Sequence, residues 1–345
     1  MQKRATIKDV AREAHVSIKT VSNVINDSGS MRPQTRKRVE QAIDSLGYSI
    51  NMSARLLKTG ESRLLGLATF DFAQPFPATF VDAVVKAARK RQYGVVVDTY
   101  DSDGEGLSTI LKEIPQLGAD GWVFLMDRPA HPKSILDQNY PLVLAGDYLS
   151  YGKVDSVMMP NVDAVKAVVG RLLDGGVERI GLIGAPDGAD RQLVFEAQEG
   201  GRPMRTRGYI EAFEERGMRV DWRIMVSGNK WISSDGERAV STMLANADLP
   251  EAIVCLNDAL AFGTMHELQR RGFSIPEDVQ IVGFDNVAEG RYSNPALTTI
   301  DPNTGDFAQR AVDMVIERIE GYQGPARMCT TDFRLIERAS TWFER

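Results

Sequence analysis

The chain has 345 residues, is 43% hydrophobic and 26% charged, and carries a formal net charge of −6. That length predicts two or three folded units at roughly 100–200 residues per domain. With no apolar run near about 18 residues and no apolar stretch after the start, the composition argues against a membrane span or a secretory leader.

The charge is unevenly placed. Residues 1–60 hold eleven Lys/Arg and five acids, a net of +6, so the remainder carries −12. A basic head is drawn to phosphate while an acidic body is repelled from it, which orients binding to nucleic acid. In the head, Ile7, Val10, Ala11 and Ala14 share one helix face, with Thr6 placed to cap it and Asp9 three residues on. A turn at His15–Val16 follows. Ser17 then caps a second helix whose buried stripe is Val21, Val24 and Ile25. A third helix runs from Pro33 to Leu46, with Val39, Ala42, Ile43 and Leu46 facing in. Three short helices in residues 1–48 describe a helix-turn-helix unit.

The second helix is unusual in what it turns outward: Ser17, Lys19, Thr20, Ser22, Asn23 and Asn26, with no Glu. A structural helix on a solvated face more often shows Glu–Lys pairs. Short hydroxyl and amide side chains let the backbone approach a surface and contact phosphates and base edges, and Lys19 reaches a guanine or a phosphate. A helix of this size fits a major groove.

Residues 49–62, "SINMSARLLKTGES", form a linker. Its helical stretch is about two turns, marginal in isolation, and is expected to fold only when something holds it. From Leu64 apolar runs alternate with amphipathic segments. Residues 64–70, 94–99, 121–126, 141–145, 180–184, 252–256 and 279–284 read as strands. Residues 79–92, 106–117, 162–174, 203–216, 235–246 and 258–271 read as helices. The fold class is therefore α/β: parallel sheets with helices on both faces, in two lobes, behind an all-α head. Ligands of such folds bind outside the carboxyl ends of the strands, where Asp71, Asp147, Asn257, Asp258, Asp285 and Asn286 fall.

An enzyme is disfavoured. "GLIGAPDG" has neither dinucleotide nor Walker spacing. His15, His131 and His266 show no metal spacing, and no nucleophile elbow is present. Cys255 and Cys329 read as buried thiols of a reducing compartment. No cofactor is expected.

The segments "ATIKDVAREAHVSIKTVSNVIN", "RVEQAIDSLGY", "NMSARLLKTG", "LIGAP", "RTRGYIEAF", "CLNDALAFG", "DVQIVGFDN", "PALTTID" and "RLIERAST" resemble, in order and along essentially the whole chain, the lactose/galactose repressor family of bacterial transcription factors. The resemblance implies a cytoplasmic, nucleoid-associated homodimer on a pseudo-palindromic operator. It implies phosphate contacts from Thr6, Ser17, Thr20, Ser22, Asn26, Thr35, Tyr48 and Asn51, and base readout from Ile18, Lys19 and Asn23. The linker resembles a hinge helix of the minor groove, with Leu57 as its intercalating wedge and Ala54 as the small residue beside it.

The body, 63–345, is similar to periplasmic sugar-binding proteins. Its N-lobe is expected at about 63–160 and 300–322, and its C-lobe at about 161–299 and 323–345. The resemblance carries effector contacts onto Asp71, Gln74, Phe76, Asp147, Arg205, Trp231, Asn257 and Asp285.

Several positions depart from the pattern. His15 occupies a turn where Gly or Asn is common, and Arg32 stands where a Ser or Thr usually caps, exchanging the cap for a phosphate contact. Asn23 replaces a common arginine, Pro77 a phenylalanine, and the segment 187–204 is long and charged. No heptad tail follows "RLIERASTWFER", so a tetramer is not expected. The reading is a repressor released from operator DNA by a mono- or oligosaccharide. The alternatives are a corepressor-dependent, purine-type regulator and a sugar-binding transport protein. The latter would have no use for residues 1–60.

Overall fold

The computed structural model describes residues 5–25, 29–48, 61–70, 72–100, 106–129 and 135–343. They form two compact units that divide between Ser62 and Arg63.

In the first unit, α1 (Ile7–Glu13), α2 (Ile18–Ile25) and α3 (Pro33–Leu46) meet on a small core. Val10, Val21 and Val39 are fully buried there with Ala11, Ala14, Val24 and Ala42. Small side chains allow three short helices to approach closely. The turn between α1 and α2 puts His15 at φ 51°, the left-handed conformation expected where this non-glycine replaces Gly. Val16 donates to the Ala11 carbonyl at 3.0 Å and closes the end of α1. One expectation fails: Leu46 is 36% exposed. Gly47, at φ 57°, turns the chain, and the Tyr48 N–H returns to the Ile43 carbonyl at 3.0 Å. The Tyr48 ring then packs on the core.

The second unit holds two six-stranded sheets. The first has the order β11-β5-β4-β3-β1-β2, with β1 Leu64–Phe70, β2 Gly94–Tyr100, β3 Gly121–Leu125, β4 Leu142–Ala145, β5 Asp155–Met158 and β11 Met328–Thr330, all parallel. The second has the order β12-β10-β9-β8-β6-β7, with β6 Ile180–Ala185, β7 Met225–Ser227, β8 Ala252–Cys255, β9 Gln280–Phe284, β10 Thr298–Asp301 and β12 Arg334–Ile336. Here only β12 runs antiparallel, against β10. Each sheet repeats the doubly wound order with its switch point beside the first strand, β1 or β6.

The helices of this unit are α4 Pro75–Lys90, α5 Gly106–Leu117, α6 Asn161–Asp174, α7 Arg191–Glu196, α8 Gly201–Glu214, α9 Ser233–Asn246, α10 Asp258–Arg270 and α11 Thr304–Ile319. In the N-lobe, Phe80 of α4 meets Phe307 of α11 at 5.1 Å on one face of the sheet. Trp122 and Phe124 pack with Ile110 and Ile114 of α5 on the other.

The chain passes between lobes after β5, after β10 and again between β11 and β12. The third passage lies later than residue 323, where the sequence placed it, because Met328–Thr330 pairs with β5 in the N-lobe. The tie is electrostatic. Fully buried Asp155 of β5 accepts from Arg318 Nη2 at 2.9 Å, Arg327 Nη2 at 2.8 Å and Arg327 N at 2.7 Å. Among the described residues no helix is long and apolar enough to cross a membrane.

Candidate functional site

The head presents the start of α2. Ser17 accepts from Thr20 N at 3.1 Å, and the two hydroxyls pair at 2.8 Å, so the helix begins on a side-chain cap. Beside them Ile18 is 46% exposed and Lys19 is exposed, while Thr20, Ser22 and Asn23 are half-buried. Gly29, at φ +80°, lies against the Asn23 amide. Thr6 is committed to the first turn of α1: its N–H and hydroxyl both donate to Asp9, at 2.9 and 2.6 Å. Arg32 precedes α3 with no side-chain cap and is exposed, and Thr35 donates its N–H to the Arg32 carbonyl at 2.9 Å. Tyr48 is half-buried, which pushes its phenol pKa up. Around the start of α2 the exposed positions Ser17, Ile18 and Lys19 carry no acid. Asn26, Asn51, Ala54 and Leu57 lie outside the described residues.

In the body, strand ends converge on Arg205. It sits on α8, where it is buried, and α8 crosses α6 closely enough that a methyl on Gly208 would overlap the Val162 carbonyl. That approach lets Arg205 Nε donate to Asn161 Oδ1, the first residue of α6, at 2.7 Å. Its Nη1 donates to the Leu256 carbonyl and stands 3.8 Å from Asp285 Oδ1. Its guanidinium carbon lies 3.5 Å from the centre of the Phe284 ring and 5.2 Å from that of Trp231. Asp147, after β4, is buried and accepts from Met159 N at 3.3 Å. It also presses on Gly201, where a Cβ would lie 2.8 Å from Asp147 Oδ2.

Asp285 follows β9 at φ 115°, glycine territory that costs an aspartate on the order of 1–3 kcal/mol. Asp258 underlies it, accepting from Thr299 Oγ1 at 2.6 Å and Val287 N at 2.9 Å. Asn257 caps α10 through Leu260 N at 2.8 Å and donates to the Trp231 carbonyl at 2.9 Å. Trp231, itself at φ 55°, donates its indole N–H to the Gly184 carbonyl at 3.0 Å. Gln74 reaches across from the N-lobe, donating to the Lys230 carbonyl at 2.9 Å and accepting from Asn257 Nδ2 at 3.3 Å.

Burial dominates the electrostatics. It pushes Arg205 below the usual guanidinium range, opposed by Asp285, Asp147 and Asp258. It pushes Asp147 up against the Arg205 charge and an Asn161 hydrogen bond. Asp258 is raised to about 7 and Asp285 is held well above the carboxylate range, again by burial. The cluster thus offers a planar donor fork between two carboxylates. A hydroxyl can accept from the first and donate to the second, which is what vicinal hydroxyls require.

Of the sequence-based effector positions, Asp147, Arg205, Trp231, Asn257 and Asp285 come together, with Gln74 on the facing lobe. Phe76 is buried in the N-lobe, stacked 6.4 Å from Phe80. Asp71 lies outside the described residues. Sequence reasoning missed Asn161 and Arg202. Asn161 follows the short strand β5, whose Asp155 hides it. Arg202 stands three residues before Arg205, on the same helix face, which was a usable signal. The thiols are free, with Cys255 buried as expected and Cys329 only half-buried. No group of His, Cys, Asp and Glu among the described residues is arranged to hold a metal ion.

Comparison with known proteins places both units. Residues 6–51 match the family described as "Bacterial regulatory proteins, lacI family", and residues 169–341 match "Periplasmic binding protein-like domain". The HTH-type transcriptional repressor PurR of Proteus mirabilis is 31% identical over 340 residues, 97% of this chain and 96% of its own. The crystal structure of a LacI-type transcription regulator from Bifidobacterium animalis subsp. lactis is 47% identical, covers 81% of this chain and 99% of that chain, and superposes with a TM-score of 0.79. A transcriptional regulator CelR in complex with cellobiose is 26% identical over 98% of this chain and 100% of that chain, with a TM-score of 0.72.

Proposed function

The chain is a DNA-binding transcriptional regulator of the LacI family, and we propose that it is a homodimeric repressor which a small sugar releases from a pseudo-palindromic operator. The observation that carries the sugar is the Arg205 fork set between Asp147 and Asp285. It sets guanidinium donors beside carboxylate acceptors, which suits paired hydroxyls, and the Trp231 indole N–H is already satisfied, so that residue offers its ring. The 26% identical relative in complex with cellobiose supports the same class.

On DNA, Ser17, Thr20, Ser22, Asn26, Thr6, Thr35, Tyr48 and Asn51 hold phosphates, Arg32 adds a phosphate contact, and Ile18, Lys19 and Asn23 read bases. Leu57, with Ala54 beside it, wedges into the minor groove and bends the duplex. In the body, Gln74 belongs to one lobe and Asn257 and Lys230 to the other. A ligand that touches both lobes binds one of their arrangements better and shifts the population toward it. By linkage, operator DNA weakens sugar binding by the factor that sugar weakens DNA binding.

The 31% identity with the repressor PurR favours a second reading, in which a purine tightens DNA binding. One titration separates them. Operator-type DNA, obtained by selecting bound sequences from a random pool, is titrated at fixed salt with mono- and disaccharides and with purines. Release by a sugar is the expected result. Tightening by a purine, with no sugar effective, would overturn the inducer reading.

A further inference from the structure

Arg202 is a cleft residue that the fold itself does not explain. It occupies the first turn of α8, whose N-cap, Gly200, supplies no side chain. A cation there faces the positive end of the helix dipole, an unfavourable placement of roughly 0.3–1 kcal/mol. The guanidinium is partly withdrawn from water, which pulls its pKa down. Among the described residues its one hydrogen bond is Nη2 to the Asn229 carbonyl at 2.9 Å, and it lies 5.6 Å from the Trp231 ring. The acids that act on it are Asp187 and Asp235. Neither comes within ion-pair distance among the described residues. Asp235 is engaged by Arg238 and by Lys230 N at 2.6 Å. Lys230, next to Trp231, is exposed and likewise has no ion pair among the described residues. By contrast Glu199, close by in sequence, is committed to Leu149 N at 2.7 Å.

Two cations beside Trp231, Lys230 next to it in the chain and Arg202 5.6 Å from its ring, therefore have no carboxylate partner among the described residues, while the inner end of the cleft holds Asp147 and Asp285. A charge partly withdrawn from water is retained against its desolvation cost where something pairs with it. We infer that the effector is an anionic sugar, its hydroxyls turned inward to Arg205 and Asp285 and its carboxylate or phosphate turned outward to Arg202 beside Trp231. Arg202 pairs with the anion through free N–H groups of its fork, as guanidinium does with both groups. This rests on the sugar reading above and adds the charge of the ligand to it.

The test uses the full chain in calorimetric titrations with matched sets: glucose, glucuronate and glucose 6-phosphate, and the corresponding galactose and mannose compounds. In at least one set an anionic member is expected to bind at least tenfold more tightly than its neutral parent. Arg202→Gln is expected to reduce that preference to less than twofold, and Arg202→Lys to keep part of it. The lysine variant and a thermal unfolding scan separate a lost contact from a lost fold. A neutral sugar binding as tightly as its anionic counterparts would overturn the anion while leaving the sugar reading in place. A preference that survives Arg202→Gln would overturn the role of Arg202. Binding by no sugar of either kind, with a purine active on operator binding, would overturn both readings. The uronate and phosphate arms identify which anion is used.

Discussion

Gly208→Ala is the sharpest test of how the cleft is held. In "RTRGY" the glycine follows Arg205 by three residues, on the same face of α8. An added methyl would overlap the Val162 carbonyl and come to 3.1 Å from Lys166 N, both on α6. Carbon contacts relax only near about 3.5–4.0 Å, so α6 and α8 must part by about 1 Å. Arg205 Nε and Asn161 Oδ1, now 2.7 Å apart across that same crossing, would then leave hydrogen-bond range. Overpacking costs about 1–3 kcal/mol. Losing a hydrogen bond from a charged donor costs about 1.5–3 kcal/mol. Ala in a helix recovers about 1 kcal/mol over Gly. The net is a destabilisation of about 2–5 kcal/mol, or about 4–10 °C in the unfolding midpoint of a unit this size.

Thermal unfolding of wild type, Gly208→Ala and Gly305→Ala at one scan rate measures it. Gly305, in the first turn of α11, has nothing within 4 Å of its would-be Cβ, so its alanine variant is expected to unfold at or slightly above wild type. Effector affinity of Gly208→Ala, read from operator release, is expected to fall at least tenfold. An unchanged midpoint together with unchanged release would refute the argument that this glycine sets the Arg205 geometry.

Other expectations follow from the same residues. Asp258, raised to about 7, and Asp285, raised with it, keep protons that the unfolded chain releases near pH 4, so body stability falls as pH rises from about 4 to about 7. Asp155 and Glu267, held at about 2 by their arginines, act oppositely below about pH 4, where their contribution is lost as pH falls. Unfolding midpoints measured from pH 3 to 8 should peak between these windows, and Asp258→Asn should flatten the upper slope; a profile flat from pH 5 to 7 in wild type would contradict it. Arg32→Ser supplies the missing cap of α3 and should stabilise the head by about 1 kcal/mol. It should also weaken operator and random DNA alike with a shallower salt dependence, and a loss confined to operator would instead make Arg32 a base reader. Leu57→Ala should weaken operator binding far more than random-sequence binding in gel-shift titrations, and equal losses would rule out the wedge.

The sequence made most of this fold legible because the buried strands are unbroken apolar runs. "LLGLATF", "GWVFL" and "QIVGF" could be read directly, and so could the amphipathic helices between them. What it hid were β5, β7, β10, β11 and β12, strands of three or four residues without a clean apolar run, together with the helices α7 and α11. In Asp155–Met158 the first residue is a buried acid, tolerable only because Arg318 and Arg327 arrive from far downstream. The third interlobe passage was misplaced for the same reason, since β11 is three residues long and mostly exposed and is recognisable only by its pairing with β5. In the cleft, Arg205, Trp231, Asn257 and Asp285 were readable through motif and position. Asn161 was not, because its role comes from the α6–α8 crossing, and no local pattern encodes a crossing.

The conformation of Asp285 favours the proposed reading of the inner cluster as a binding site over that of a structural ion pair. A structural pair would place its carboxylate at hydrogen-bond distance and on a relaxed backbone. Here the backbone sits at φ 115°, Arg205 is 3.8 Å away, and the carboxylate accepts no hydrogen bond among the described residues. Each of these lowers stability, and burial lowers it further by disfavouring the charge. Yet the surroundings enforce the arrangement. Val287 and Thr299 are pinned by Asp258, and Asn286 is held by Arg338 Nη2 at 2.6 Å. Strain that neighbouring structure maintains, on a group left short of partners, is the signature of a site whose partner is external. In the proposed site, a ligand hydroxyl that donates to Asp285 and accepts from a remaining Arg205 N–H supplies the hydrogen bond that the Asp285 carboxylate lacks, and the closer the two lobes hold it, the larger the bias toward that arrangement.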